Sequence, residues 1–236
     1  MRNISEVATL VDSQAAWTFC IPSRAETVTE GLEESLSIYD DIYNISDCFV
    51  LPVESTVTIL ENIPNEVSLD QMMDIAMKED GITERTEKVR DSNGITKGHL
   101  RDLLSQDIQQ TFLTSIQTDR SRVRCRLADR DVYVDEERNS ATYRGDTRLN
   151  TASPAYPILK FNMFYVKNPS IDSVESDVIV YISISTWTDI WFEKTEIGRV
   201  NRDRLRGLLE RINQALPVVK VNRESTRWEE EMSEIF

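Results

Sequence analysis

Val178-Ile179-Val180-Tyr181-Ile182-Ser183-Ile184-Ser185-Thr186-Trp187 is the stretch that decides how this chain is read. Side chains of an extended segment alternate between faces, so Val178, Val180, Ile182 and Ile184 share one side, and the β-branched content suits a pleated sheet. Ile158 to Val166 reads as a second long strand just before it. Arg122 to Leu127 alternates in the same way, and Asp131 to Asp135 with Ala141 to Arg144 reads as a hairpin around Glu136-Glu137-Arg138-Asn139-Ser140. Further on, a turn near Thr188-Asp189 leads into an expected return strand at Trp191 and Phe192. A helix is expected from Asn201, as N-cap, through Leu205, Leu208, Leu209 and Ile212 to Leu216, where Pro217 ends it. Val218, Val219 and Val221 suggest one last strand.

The N-terminal half mixes both periods. Ala16 to Ile21 reads as a strand closed by Pro22. Val28, Leu32, Leu36, Tyr39 and Tyr43 then recur at helical spacing with acids opposite. In Phe49 to Leu60, Val53, Ser55, Val57 and Ile59 alternate with Glu54, Thr56, Thr58 and Leu60, and Pro52 marks an edge or entry position. Ser68-Leu69-Asp70-Gln71 is a capping-box signature whose helix should stop before Gly81. Residues 82 to 97, with Asp91-Ser92-Asn93-Gly94, read as a mobile charged loop. A longer helix is expected through Leu100, Leu103, Leu104, Ile108, Phe112 and Ile116. The fold class is therefore α+β, with a largely antiparallel sheet in the C-terminal half and helices packed on it. Two regions are expected, 1–119 and 120–236, within what can be a single domain.

Composition bounds the function. The chain has 236 residues, 40% of them hydrophobic and 29% charged, which predicts a folded protein with a sizeable core. Lys and Arg together number 27 against 41 Asp and Glu, for a formal net charge of -14. Lysine is scarce and arginine common. A carboxylate-rich surface poor in lysine fits solubility in concentrated salt, where at about 1 M the Debye length is only ~3 Å and acidic self-repulsion is screened. Abundant isoleucine with little alanine sits oddly with a GC-rich halophile gene and points toward a virus or another mobile element. No apolar run approaches the ~20 residues of a membrane span. The N-terminus lacks the apolar segment of a signal peptide. Cys20, Cys48 and Cys125 have no metal-binding spacing and read as buried free thiols in a reducing compartment.

Chemical motifs are few. His99 is the sole histidine, placed at a helix start, where it reads as a surface or capping residue. No phosphate-binding glycine loop, nucleophile elbow or zinc spacing is present, so no catalytic residue, metal ligand or cofactor is expected. Asp189 with Glu193 and Lys194 is the one arrangement open to a carboxylate-held Mg²⁺ nuclease. Glu193 and Lys194 are adjacent, though, and would face opposite sides of a strand.

Two surfaces suggest partners instead. Arg120, Arg122, Arg124 and Arg126 alternate with Val123, Cys125 and Leu127, forming a guanidinium ladder with rungs roughly 7 Å apart. It can pair internally with Asp131, Asp135, Glu136 and Glu137, meet a protein partner, or grip nucleic acid; no interleaved aromatics favour the last. Near the C-terminus, Thr226-Arg227-Trp228-Glu229 reads as a capping box opening a short helix with Trp228, Met232 and Ile235 on one face. So short a helix must dock, either on its own domain or in a neighbour's groove. The expected function is a non-enzymatic assembly or interaction protein from a salt-adapted, haloarchaeal-type source, most concretely a virus-particle component such as a connector or tail part. The alternatives are a metal-dependent nuclease and a nucleic-acid-binding regulator using the ladder. Protein partners or self-association are expected, without membrane contact, in the cytoplasm or in a particle assembled there.

Overall fold

The computed structural model describes residues 15–46, 49–64, 67–76, 82–104, 110–127, 130–135, 140–141, 159–167, 176–186, 189–225 and 228–236. In chain order the elements are β1 (Ala15–Pro22), α1 (Val28–Ser46), β2 (Val50–Glu61), α2 (Leu69–Ala76), β3 (Thr83–Arg90), α3 (Lys97–Asp102), β4 (Phe112–Leu127), β5 (Arg130–Asp135) and β6 (Ser140–Ala141). After them come β7 (Lys160–Lys167), β8 (Val178–Thr186), a 3-10 turn (Asp189–Trp191), α4 (Glu196–Ala215), β9 (Lys220–Ser225) and α5 (Glu229–Ile235). The fold is α+β. One antiparallel sheet runs β3-β2-β4-β7-β8-β1-β9, and the β5–β6 hairpin joins it along the far end of β4. The expected boundary at 119/120 falls inside β4, and strands from both sides of it share this sheet.

The alternation read in β8 sets the core. Val178, Val180, Ile182 and Ile184 are buried beside Phe161, Met163 and Tyr165 of β7 and Trp17, Phe19 and Ile21 of β1. α1 lays Leu32, Leu36 and Tyr39 on this face, and α4 adds Leu205, Leu208, Leu209 and Ile212. Close approach at Gly31 brings α1 down onto the sheet, since a Cβ there would meet Phe112 at 2.8 Å. Two tyrosines tie the layers: Tyr39 donates to the Ile95 carbonyl at 2.9 Å and Tyr165 to the Gly31 carbonyl at 3.2 Å. Burial pushes both phenols well above their ordinary range. In β2, Val53, Ser55, Val57 and Ile59 are buried as expected, while Leu60 of the alternate set is buried as well, beside the register shift at Thr58/Ile59. Pro52 pairs with Ser121 of β4, and pairing with β3 begins only at Glu54, so the proline sits at the strand's entry.

Several elements differ from expectation. The segment read as a charged loop is β3, an edge strand whose polar residues find partners across the ladder: Arg85 binds Glu61 at 3.0 Å and Arg90 binds Glu54 at 3.0 Å. With Val89 as its one buried side chain, it carries no apolar alternation to announce it. The expected long helix stops at Asp102, and Phe112 and Ile116 belong to β4. Their spacing of four satisfies a helix and a strand alike, and the strand prevails among Thr111, Thr114 and Thr118. Trp191 and Phe192 form no return strand. Trp191 is instead buried in the 3-10 turn, its indole N–H donating to Thr186 Oγ1 at 2.9 Å. α4 begins five residues before the expected cap, at Glu196, with Thr195 Oγ1 accepting from the Gly198 N–H at 3.0 Å. The N-cap of α5 is Trp228, whose N–H donates to Ser225 Oγ at 2.7 Å. The Ser68–Gln71 capping box forms with both bonds at 3.2 Å. Cys48, Gly81, Ile108, Glu136, Glu137, Arg138, Asn139, Arg144, Ile158, Trp187, Thr188, Thr226 and Arg227 lie outside the described residues.

Candidate interaction surface

The arginine ladder stands on β4, its four members alternating with the buried Val123 and Cys125. Its rungs divide between two carboxylates and a carbonyl. Arg120 lies 3.7 Å from Glu54, a side chain only 14% exposed that also meets Arg90 at 3.0 Å and Lys88 at 3.7 Å. Arg122 donates to the Ser92 carbonyl at 2.7 Å. Arg124 and Arg126 reach Asp131 of β5 at 3.1 and 2.9 Å, and Arg204 of α4 reaches the same carboxylate at 2.8 Å. Partial burial pushes the Asp131 carboxyl upward, but the Arg204 hydrogen bond and the charges of Arg204, Arg126 and Arg124 outweigh it and hold the group below its ordinary range. The pairing with Asp131 read from the sequence is present. The contribution of Arg204, far away in the chain, is not legible there.

Asn201 completes this corner. Wholly buried within α4, it accepts from the Arg126 N–H at 2.6 Å and donates to the Arg126 carbonyl at 3.0 Å. It thereby closes both backbone groups of a strand residue. The cap reading identified a side chain suited to bonding backbone, but the backbone it bonds belongs to β4. Cys125 alongside is buried, and that burial pushes its thiol up to about 12. Cys20 is also buried and free, its thiol raised by burial.

The C-terminal helix packs on its own chain. Trp228 stacks on Phe192 with ring centroids 4.5 Å apart and planes 14° from parallel, and Phe192 stacks in turn on Trp17 at 6.5 Å. Met232 and Ile235 are buried, and Phe236 tilts against Phe19 at 5.8 Å. Arg206 of α4 donates to the Ile235 carbonyl at 3.1 Å and also to that of Glu234, a cation at the helix's negative end. Trp228, Met232 and Ile235 are thus occupied within the chain.

His99 accepts from the Thr96 N–H at 3.0 Å through Nδ1 and meets Asp91 at 3.2 Å through Nε2, a capping role at the start of α3. Glu193 accepts from Thr195 Oγ1 at 3.2 Å, and Asp189 stands in the 3-10 turn with its side chain outside the described set. Among the described residues no group of histidine, cysteine and carboxylate side chains is placed to hold a metal ion. No described helix is long and apolar enough to cross a membrane.

The surface that sequence reasoning missed is the other side of the sheet. The described helices contact the face bearing Phe19, Tyr165, Arg85 and Thr186. On the opposite face the register aligns Asn222, Thr18, Ser183, Asn162, Gln117, Thr56 and Lys88 in one polar row across seven strands. The neighbouring row runs Lys220, Cys20, Tyr181, Phe164, Ser115, Thr58 and Thr86, with Phe164 and Tyr181 stacked at 5.4 Å. Cys20 in this row is buried, and the members of both rows come from different strands, so only register brings them together. No protein-family model matches the chain, and no curated protein or solved structure matches it.

Proposed function

We propose that this chain is a non-enzymatic assembly protein from a salt-adapted source, working through contacts with other proteins or with further copies of itself. A structural component of a virus particle, such as a connector or tail part assembled in the cytoplasm, is the most concrete form of this reading. The observation that carries it is the seven-strand sheet with one polar face bare of the described helices, ending in β3 at one side and β9 at the other. Such a face and such edges are the parts of a sheet that take up a neighbour's backbone and side chains. The excess of acidic over basic residues supports the salt-adapted element, because copies of net charge -14 approach one another only when that charge is screened.

Sedimentation velocity and thermal melting of the full chain from about 0.1 M to about 2 M KCl test the proposal. The melting midpoint should climb with KCl, and association should appear as the salt rises. KCl is preferred to sulfate, which stabilises nearly any protein by exclusion. A chain that stays monomeric across this range, captures no protein partner and melts at a constant or falling midpoint overturns the reading.

A further inference from the structure

We propose that the edge strand β3 pairs with β3 of a second copy, antiparallel about a two-fold axis through Thr86, joining two sheets into one continuous sheet. The inference rests on the assembly reading above and supplies its partner. Residues Thr83-Glu84-Arg85-Thr86-Glu87-Lys88-Val89-Arg90 form the outermost strand on this side, paired with β2 along one edge and with no described strand along the other.

Symmetry limits the choices sharply. A two-fold axis perpendicular to a sheet keeps each residue on its own face, and residues paired across strands share a face. An antiparallel pair of identical strands must therefore be centred on a residue opposite its own copy. Centring on Glu84, Arg85, Glu87 or Lys88 sets a charge against itself. Centring on Val89 sets Lys88 against Arg90 twice. Centring on Thr86 sets Glu84 opposite Lys88 and Arg85 opposite Glu87, each pair occurring twice, with threonine against threonine at the axis and Thr83 opposite Val89. Of these registers, it alone forms opposite-charge pairs without a like-charge pair, and threonine pairs are themselves favourable across strands.

Edges that avoid pairing carry charges that repel a copy. This one carries charges that read as their own complement in reverse. The side chains are placed for it. Glu84 and Thr86 are exposed, and the Lys88 side chain is 61% exposed on the same bare face. Arg85 is held toward the helix side by Glu61, by the Leu103 carbonyl at 2.9 Å and by Glu87 of its own strand at 2.8 Å, so across the axis the two Arg85–Glu87 pairs would be shared between the copies. Joined this way, the two polar faces become one surface with the helices of both copies behind it. Salt has two effects here. It screens the long-range repulsion between two acidic chains, while oppositely charged groups in contact retain part of their attraction.

The test is a charge-swap cycle in about 1 M KCl, where association is read by sedimentation equilibrium and folding by circular dichroism. Glu84→Lys sets lysine against Lys88 of the copy and should weaken self-association roughly tenfold or more, because two cross-strand pairs turn repulsive. Lys88→Glu should do the same. The double variant Glu84→Lys/Lys88→Glu restores opposite charges across the axis and should return affinity to near the starting value. Lys88→Glu also loses its contact with Glu54 in its own chain, so Glu84→Lys is the cleaner single change. If the chain associates and Glu84→Lys leaves that association intact, the β3 junction is wrong while the assembly reading stands. Failure of the double variant to recover affinity overturns the Thr86 register. A chain that associates with nothing overturns both.

Discussion

Replacing Trp228 with alanine removes the side chain that anchors the C-terminal helix. The indole is 4% exposed and lies flat on Phe192, which itself leans on Trp17 in the core. A tryptophan buries about 150–250 Å², which at ~25 cal/mol per Å² gives roughly 4–6 kcal/mol as an upper bound. Core Trp→Ala changes measure about 3–5 kcal/mol, and a site at the chain's end can partly close, so about 3 kcal/mol is expected here. For a domain of this size, each kcal/mol moves the midpoint by ~2–4 °C, giving a fall of roughly 6–12 °C. Thermal melting followed by far-ultraviolet circular dichroism reads it, with Trp228→Phe as the control that keeps a ring on Phe192 and should lose clearly less. The loss should be the same at low and high protein concentration, since the helix serves its own chain. A midpoint within about 2 °C of the parent would refute the packing argument. A loss that appears only where the protein self-associates would instead place the helix on a neighbour.

Two further perturbations probe the corner where β4, β5 and α4 meet. Asp131 is ionised more readily folded than unfolded, so the stability it contributes is present above the ordinary aspartate range near ~3.9 and disappears as pH falls through its lowered folded value. Asp131→Asn should therefore be less stable than the parent at neutral pH, with a gap that narrows on acidification in urea titrations; a gap constant down to acid pH would deny the carboxylate that role. Asn201→Ala leaves the Arg126 N–H and carbonyl without the side chain that satisfies them, at about 1–3 kcal/mol for each buried group. Hydrogen exchange at the Arg126 amide should accelerate in this variant, and unchanged protection would mean that the contact is dispensable.

How much of the fold was legible depends on whether apolar side chains mark it. β1, β7 and β8 are covered on one face by helices, so their alternating hydrophobics stand out, as does the helical stripe of α1 from Val28 to Tyr39. β3 lies at the edge with one buried residue, and its pattern of charges is indistinguishable from a loop until Glu54 and Glu61 of β2 are set beside it. Phe112 and Ile116 show the reverse failure: a spacing of four fits both periods, and the long antiparallel pairing with β2 decides between them. Asn201 was recognised as a residue that bonds backbone, yet its target lies 75 residues away, at a distance no local pattern reports.

The arginine ladder was easier to find than the polar face of the sheet, for the same physical reason. Four arginines at every second position form a pattern within one strand, and their ion pairs with Glu54 and Asp131 turn that pattern toward holding the sheet together. The polar row from Asn222 to Lys88 has no counterpart along the chain, because each of its members comes from a different strand. The proposed β3 junction lies between these cases. Its complementarity is written within eight consecutive residues, but it has meaning only because no described strand pairs with the outer side of β3. A sequence that is its own complement in reverse is inert inside a sheet and can associate at its border, so topology, more than composition, decides whether such a strand can serve as an interface.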